Sequence, residues 1–123
     1  MGAFLMLACD YRIGLDGDYR VGLNETLIGM TMHHFGIELA RCRLPVNYLN
    51  RCVFNAEIFS PRQAITAGFY DVVVSYKDLL ETTNSAVGTF CKLNMNAFKG
   101  SKIKARADTL DLLSKCIQKD LQI

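Results

Sequence analysis

No stretch of this sequence stays apolar for long. The apolar run Gly2 to Cys9 has eight residues, against the roughly 20 that a membrane-spanning helix needs. There is no internal repeat, no linker rich in Gly, Ser or Pro, and no low-complexity tract. Solenoids, collagen-like chains and disordered arms are thereby excluded. Charge of one sign is also scarce. Fourteen Lys+Arg against twelve Asp+Glu leave a formal net charge of +2, which makes no case for a nucleic-acid partner. The cysteines (Cys9, Cys42, Cys52, Cys91 and Cys116) are odd in number and include no C-x-x-C pair. That spacing points to neither a zinc cluster nor a disulfide framework. Each sits among apolar neighbours or in helix-like sequence, so buried reduced thiols and a cytoplasmic location are expected. Leu7-Ala8-Cys9 resembles a lipoprotein cleavage site only faintly, because no positive region precedes it. The ending Leu121-Gln122-Ile123 is neither a prenylation nor a peroxisomal signal.

What is present is apolar mass. Half of the 123 residues are hydrophobic and 21% are charged. A chain of this size makes one domain with one core, and the surplus implies surface meant for a partner. Met1 to Asp10 reads as a buried helix turn or a buried strand, since periodicity does not separate them over so short a run. Residues 11–14 and 19–23 read as short strands around an Asp16-Gly17 turn, suggesting a hairpin-like excursion. Residues 33–54 read as helix in two pieces, broken near Leu44 because Pro45 disfavours helix in the residue before it. Ser60-Pro61-Arg62-Gln63 has the form of a capping box with proline at the first helical position, and Gly68 closes that helix. Residues 69–74 read as a strand. Ser75 and Asp78 open a further helix carrying Tyr76, Leu79, Leu80, Val87, Phe90 and Leu93. A last helix repeats Ile103, Ala107, Leu110, Leu113, Ile117 and Leu121 at steps of three and four. Such a face must be buried against something, and the short open strands also need cover. Within Lys99 to Arg106 stand four basic residues, which suit a solvated helix start or a phosphate contact.

Three segments then carry a family. Gly2 through Ile13, with Cys9-Asp10-Tyr11-Arg12-Ile13 at its end, resembles the G-x-E-L-A-x-x-C-D-x-R-I segment of the crotonase (enoyl-CoA hydratase/isomerase) superfamily. Gly22-Leu23-Asn24-Glu25 through Gly29 resembles its F-G-x-P-E-x-x-x-G block. Ala56 through Val73, containing Ala64, Ala67-Gly68-Phe69-Tyr70-Asp71, resembles its A-x-x-A-x-x-x-G-L-V-D-x-V signature. The resemblance implies an α/β fold, the ββα spiral shared by ClpP and the crotonases. It would be present here in part: residues 1–75 as the later portion of the core, and residues 76–123 as a helical trimerisation region. It implies a truncated chain, since family members run longer and begin with a further ββα portion.

The resemblance also implies a chemistry. Two backbone amides bind the oxyanion of a thioester enolate, one of them at a helix N-terminus; here that amide falls on Met1 or Gly2. Of the two glutamates used by hydratases, the first falls on Phe4, which moves no proton. The second falls on Glu25. A single carboxylate there suits an isomerase that shuttles a proton between the carbons alpha and gamma to the thioester, rather than a two-glutamate hydratase; a lyase of the same family stays open. Phe4, Gly29, Thr31, Met32 and His33 are implied as substrate pocket. Adjacent histidines on a helix lie about 100° apart, so His33 and His34 do not make a metal site. Lys99 and Lys102, with Lys104 as an alternative, are implied as contacts for coenzyme A. No cofactor is expected, coenzyme A arriving as the thioester substrate, and the expected assembly is a homotrimer or homohexamer. The alternatives are a non-catalytic crotonase-like subunit and a helical interaction module with no link to coenzyme A.

Overall fold

The computed structural model describes residues 1–122; Ile123, the end of the helical region expected over 76–123, lies outside the described residues. Residues 2–8 resolve the first ambiguity in favour of helix: α1 spans Gly2–Ala8 and buries Phe4 and Leu7. Strand β1, Ile13–Leu15, and strand β2, Val21–Gly22, follow. A 3-10 turn covers Thr26–Ile28. Helices α2, His34–Arg43, and α3, Val46–Val53, are broken at Leu44, with Pro45 as the N-cap of the second piece. Then come β3, Ile58–Phe59, and α4, Pro61–Ala67, and β4, Val72–Val74. The chain ends in α5, Leu79–Phe90, and α6, Met95–Asp120.

The local signals act as their chemistry requires. Ser60 Oγ accepts from the Gln63 amide, and the Ser60 amide donates to Gln63 Oε1 at 3.0 Å, completing the capping box. Gly68 ends α4 at φ 95°, in the left-handed region that side chains with a Cβ avoid. The hairpin reading does not hold. β1 pairs in parallel with β4, Ile13 opposite Val72 and Leu15 opposite Val74, whereas β2 pairs antiparallel with β3 through Val21–Phe59 and Gly22–Ile58. The turn dipeptide marked a bend, but the partners come from some 40 to 60 residues downstream in each case. β4 is also shorter than the 69–74 expected: Phe69 and Tyr70 form the turn before it and are buried in the core. Leu93 lies in the connection after α5, and α6 begins well before the basic cluster, because Asn94 caps it by accepting from the Ala97 amide.

The core gathers Leu7, Leu23, Cys52 and Phe69, all essentially without solvent contact, around Leu39, Ala40, Leu44, Phe59, Ala64 and Ala67. Arg12 is the one buried charge among the described residues. Its Nε and its second amino group reach both oxygens of Asp71 at 3.0 and 3.1 Å, its first amino group donates to Gly68 O, and its backbone amide donates to Asp71 Oδ2. This pins the entry of β1 to the corner between α4 and β4. Burial alone would raise the Asp71 carboxyl, but the Arg12 hydrogen bonds and charge outweigh it and hold the pKa below the usual carboxylate value.

The start of α2 is closed by residues from two places. His33 Nδ1 accepts from the Gly36 amide at 2.8 Å, while Asp120, at the far end of α6, accepts from the amides of His34 and Phe35, each at 2.8 Å. The Ile37 amide donates to His33 O, so all the exposed donors of that helix start are satisfied. Position 36 must be glycine for this: a Cβ there would come within 2.4 Å of the His33 ring.

The expectation of buried thiols is half met. Cys52 and Cys116 are buried; Cys9, Cys42 and Cys91 are exposed. Apolar neighbours in sequence are not neighbours in space on a helix that turns about 100° per residue, and these three sit at helix ends or on an outer face. No helix of the described residues is long and apolar enough to cross a membrane, and no cluster of metal-ligating side chains occurs among them.

Candidate active site

Glu25 leaves β2 at the mouth of the 3-10 turn. Its backbone oxygen accepts from Ile28 N and Met30 N, at 3.2 and 2.8 Å, and Thr26 Oγ1 donates to Phe54 O at 3.0 Å. The turn is therefore tied to the end of α3, and Glu25 lines a cavity that it shares with α1. Glu25 Oε2 is buried and has no hydrogen-bond partner. A carboxylate oxygen in that state is costly unless a ligand completes it.

The cavity it enters measures about 420 Å³ and is lined by Met1, Gly2, Phe4 and Met6 on one side and by residues 19–25 and Tyr70 on the other. Four expected site residues thus meet: Glu25, Met1, Gly2 and Phe4. The first amides of α1 have no acceptor within the helix, and Phe4 and Leu5 already donate to Met1 O. The remaining pocket residues lie elsewhere. Gly29, Thr31 and Met32 line a separate cavity with Ile37, Val53 and Phe54. His33 reaches the Glu25 cavity only through its ring contact with Phe4, centroids 5.3 Å apart, and its Nδ1 is committed to capping α2.

Lys99 is exposed on α6. Lys102 lies two turns into α6, not at its start, and pairs with Asp10; Arg106 reaches the other oxygen of Asp10 at 2.8 Å. The Lys102 hydrogen bond is the main cause holding the Asp10 pKa below its ordinary value. Half of the basic cluster thus shares one carboxylate, and Lys99 and Lys104 are exposed, with no salt bridge among the described residues.

Some residues of this region escaped sequence reasoning. The Tyr19 and Tyr70 hydroxyls lie 3.3 Å apart, and Tyr19 donates to Leu15 O at 2.7 Å. Burial, then the Tyr19 contact, pushes the Tyr70 phenol pKa up, so it stays neutral. Its ring lies flat against Gly14, where any Cβ would fall 2.7 Å away. The only sequence signal was Gly14 within a strand. Arg43 donates to Leu7 O and Cys9 O at 2.8 and 2.7 Å, a contact without any local signature.

No family model matches the chain. Mouse mitochondrial enoyl-CoA delta isomerase 1 is 27% identical over 122 residues, which cover 98% of this chain and 42% of that protein. Among solved structures, an enoyl-CoA hydratase/isomerase family protein from Pseudomonas syringae is 51% identical with a TM-score of 0.96, over 98% of this chain and 53% of that one. Human mitochondrial delta3-delta2-enoyl-CoA isomerase superposes with a TM-score of 0.85 at 27% identity, over 94% of this chain and 45% of its own. The chain spans about half the length of the relatives it matches. Over the half of their length that it covers, these likenesses place the chain in the enoyl-CoA hydratase/isomerase (crotonase) family.

Proposed function

We propose that this chain acts on an acyl-CoA thioester through an oxyanion-stabilised enolate, with Glu25 as the single acid/base. The carboxylate removes a proton from the carbon alpha to the thioester of a 3-enoyl substrate. The electron pair of that C–H bond forms a double bond to the carbonyl carbon, and the carbonyl pair moves onto the thioester oxygen, where the backbone amide at the start of α1, on Met1 or Gly2, would receive the charge. The carboxyl then returns its proton at the gamma carbon, leaving the 2-enoyl isomer. One observation carries this reading: Glu25 lines a cavity bounded by the start of α1 and has a buried carboxylate oxygen with no hydrogen-bond partner among the described residues. Phe4 in the same wall supplies no second carboxylate, which favours isomerisation over hydration.

The coenzyme A end would meet Lys99, with Lys102 available only by giving up part of its pairing to Asp10. Gly29, Thr31, Met32 and His33 would contact the acyl chain only if it runs past Phe4. Assembly as a homotrimer or homohexamer would cover the apolar faces of α5 and α6. The cytoplasmic location rests on the cysteines alone, and the mouse relative is described as mitochondrial. A non-catalytic crotonase-like subunit is the second reading, favoured by Phe4 in that wall.

The test is turnover of 3-enoyl-CoA, followed spectrophotometrically. Glu25→Gln is expected to lower kcat about 100- to 10,000-fold. Equal turnover in the variant removes Glu25 from the chemistry. Thermal protection by coenzyme A esters without turnover in the wild type selects the non-catalytic subunit.

A further inference from the structure

Helix α1 forms one wall of the Glu25 cavity, yet nothing in its own sequence holds it. It has seven residues, no side-chain cap, no acidic residue in its first turn and no basic residue in its last. A helix so short is not stable alone. The missing elements come from α2. Arg43 Nε donates to Leu7 O at 2.8 Å, and its terminal nitrogen donates to Cys9 O at 2.7 Å. Two carbonyls at the C-terminal end of α1 are thus satisfied by one planar fork, and a positive charge stands where the helix dipole is negative. The arginine occupies this place against opposition, for burial and the charges of Arg12 and Arg106 all disfavour its cation there. Across the helix, about 10 Å away, Met1, Gly2 and Phe4 face Glu25.

We infer that Arg43 is a positioning residue, which sets the wall of the Glu25 cavity by holding α1 from its opposite end. The inference rests on the proposed isomerase reading for its effect on rate, but not for its effect on α1. It adds a determinant on the face of α1 remote from the substrate, 18 residues from Glu25 and in contact with neither it nor the cavity.

The experiment compares the full chain with Arg43→Met, Arg43→Lys and, as a control, Arg41→Met, whose guanidinium pairs with Glu38 on the outer side of the same helix. Hydrogen exchange at the Phe4 and Leu5 amides and steady-state turnover of 3-enoyl-CoA are read together. In Arg43→Met, exchange at these two amides is expected to accelerate at least tenfold while the middle of α6 stays protected. kcat is expected to fall about 10- to 100-fold with KM within twofold and the acid limb of the rate profile unmoved. Arg43→Lys keeps the charge but not the fork, and recovers part of both losses; Arg41→Met changes neither. Unchanged exchange in α1 overturns the inference, as does an exchange effect spread evenly over the chain, and so does selective loosening of α1 with wild-type kcat. If wild type shows no turnover, the isomerase reading fails, and selective exchange in α1 still establishes that Arg43 holds the helix.

Discussion

The two ends of this chain were equally readable as patterns of apolar residues, and they fold to opposite results. Up to β4 many apolar residues are inside: Leu7, Leu23, Leu39, Ala64 and Phe69 join a core shielded from solvent. After β4 they are outside. α5 buries no residue, and α6 buries only Cys116 and half-buries Leu113. Leu80 is 72% exposed, Leu110 56% and Leu121 62%. Hydrophobic periodicity therefore predicted where the last two helices form, but not their burial, because the chain itself supplies little opposing surface there. α6 is attached through Cys116 and Leu113 and through polar contacts, Asp120 on the start of α2 and Asp10 between Lys102 and Arg106.

The contrast can be broken experimentally. The largest effect is expected from Phe69→Ala, which empties a fully buried site. It should cost about 3–5 kcal/mol in denaturant unfolding, and a loss under 1 kcal/mol would mean that the first region is not the seat of stability. Asp71→Asn comes next, at about 3 kcal/mol, because it strips the buried Arg12 of its counter-charge while the Asp71 side chain itself keeps a third of its exposure. This gap has a defined pH dependence. The folded pKa of Asp71 lies below the ordinary carboxylate value of 3.8, so the carboxylate's contribution is complete above that value and disappears as pH falls through the folded pKa. Wild type and variant should differ by a constant amount from neutrality to about pH 5 and converge below about pH 4. A gap that widens on acidification contradicts the assignment. The smallest effect is expected from Leu80→Ala on α5, within about 0.5 kcal/mol, measured on the dilute chain. A loss several times larger at that dilution would show that α5 is already packed against something.

What could be read in advance was local. The box at Ser60 and Gln63, the left-handed stop at Gly68 and the break at Pro45 each depend on residues within four positions of one another, where steric and hydrogen-bonding rules act directly. The strand partners did not follow, because β1 and β2 are too short to specify register and each takes a partner from beyond α3. Nor did the ion pairs: Asp10 and Lys102 are 92 residues apart, Arg12 and Asp71 are 59. For the site, Glu25 was singled out through likeness to a known family, and its cavity depends on α1 and Tyr70 arriving from elsewhere. The placement of Gly29, Thr31 and Met32 in a second cavity was invisible, since the 3-10 turn that separates them from Glu25 turns on the tie from Thr26 to Phe54.

The carboxylate of Asp120 closes a helix that begins 86 residues earlier. During synthesis on the ribosome, the segment from His34 onward must therefore wait, its first amides bonded to water, until nearly the whole of α6 has left the exit tunnel. The order of emergence and the order of completion are reversed in this molecule, and contacts of such long sequence separation slow folding.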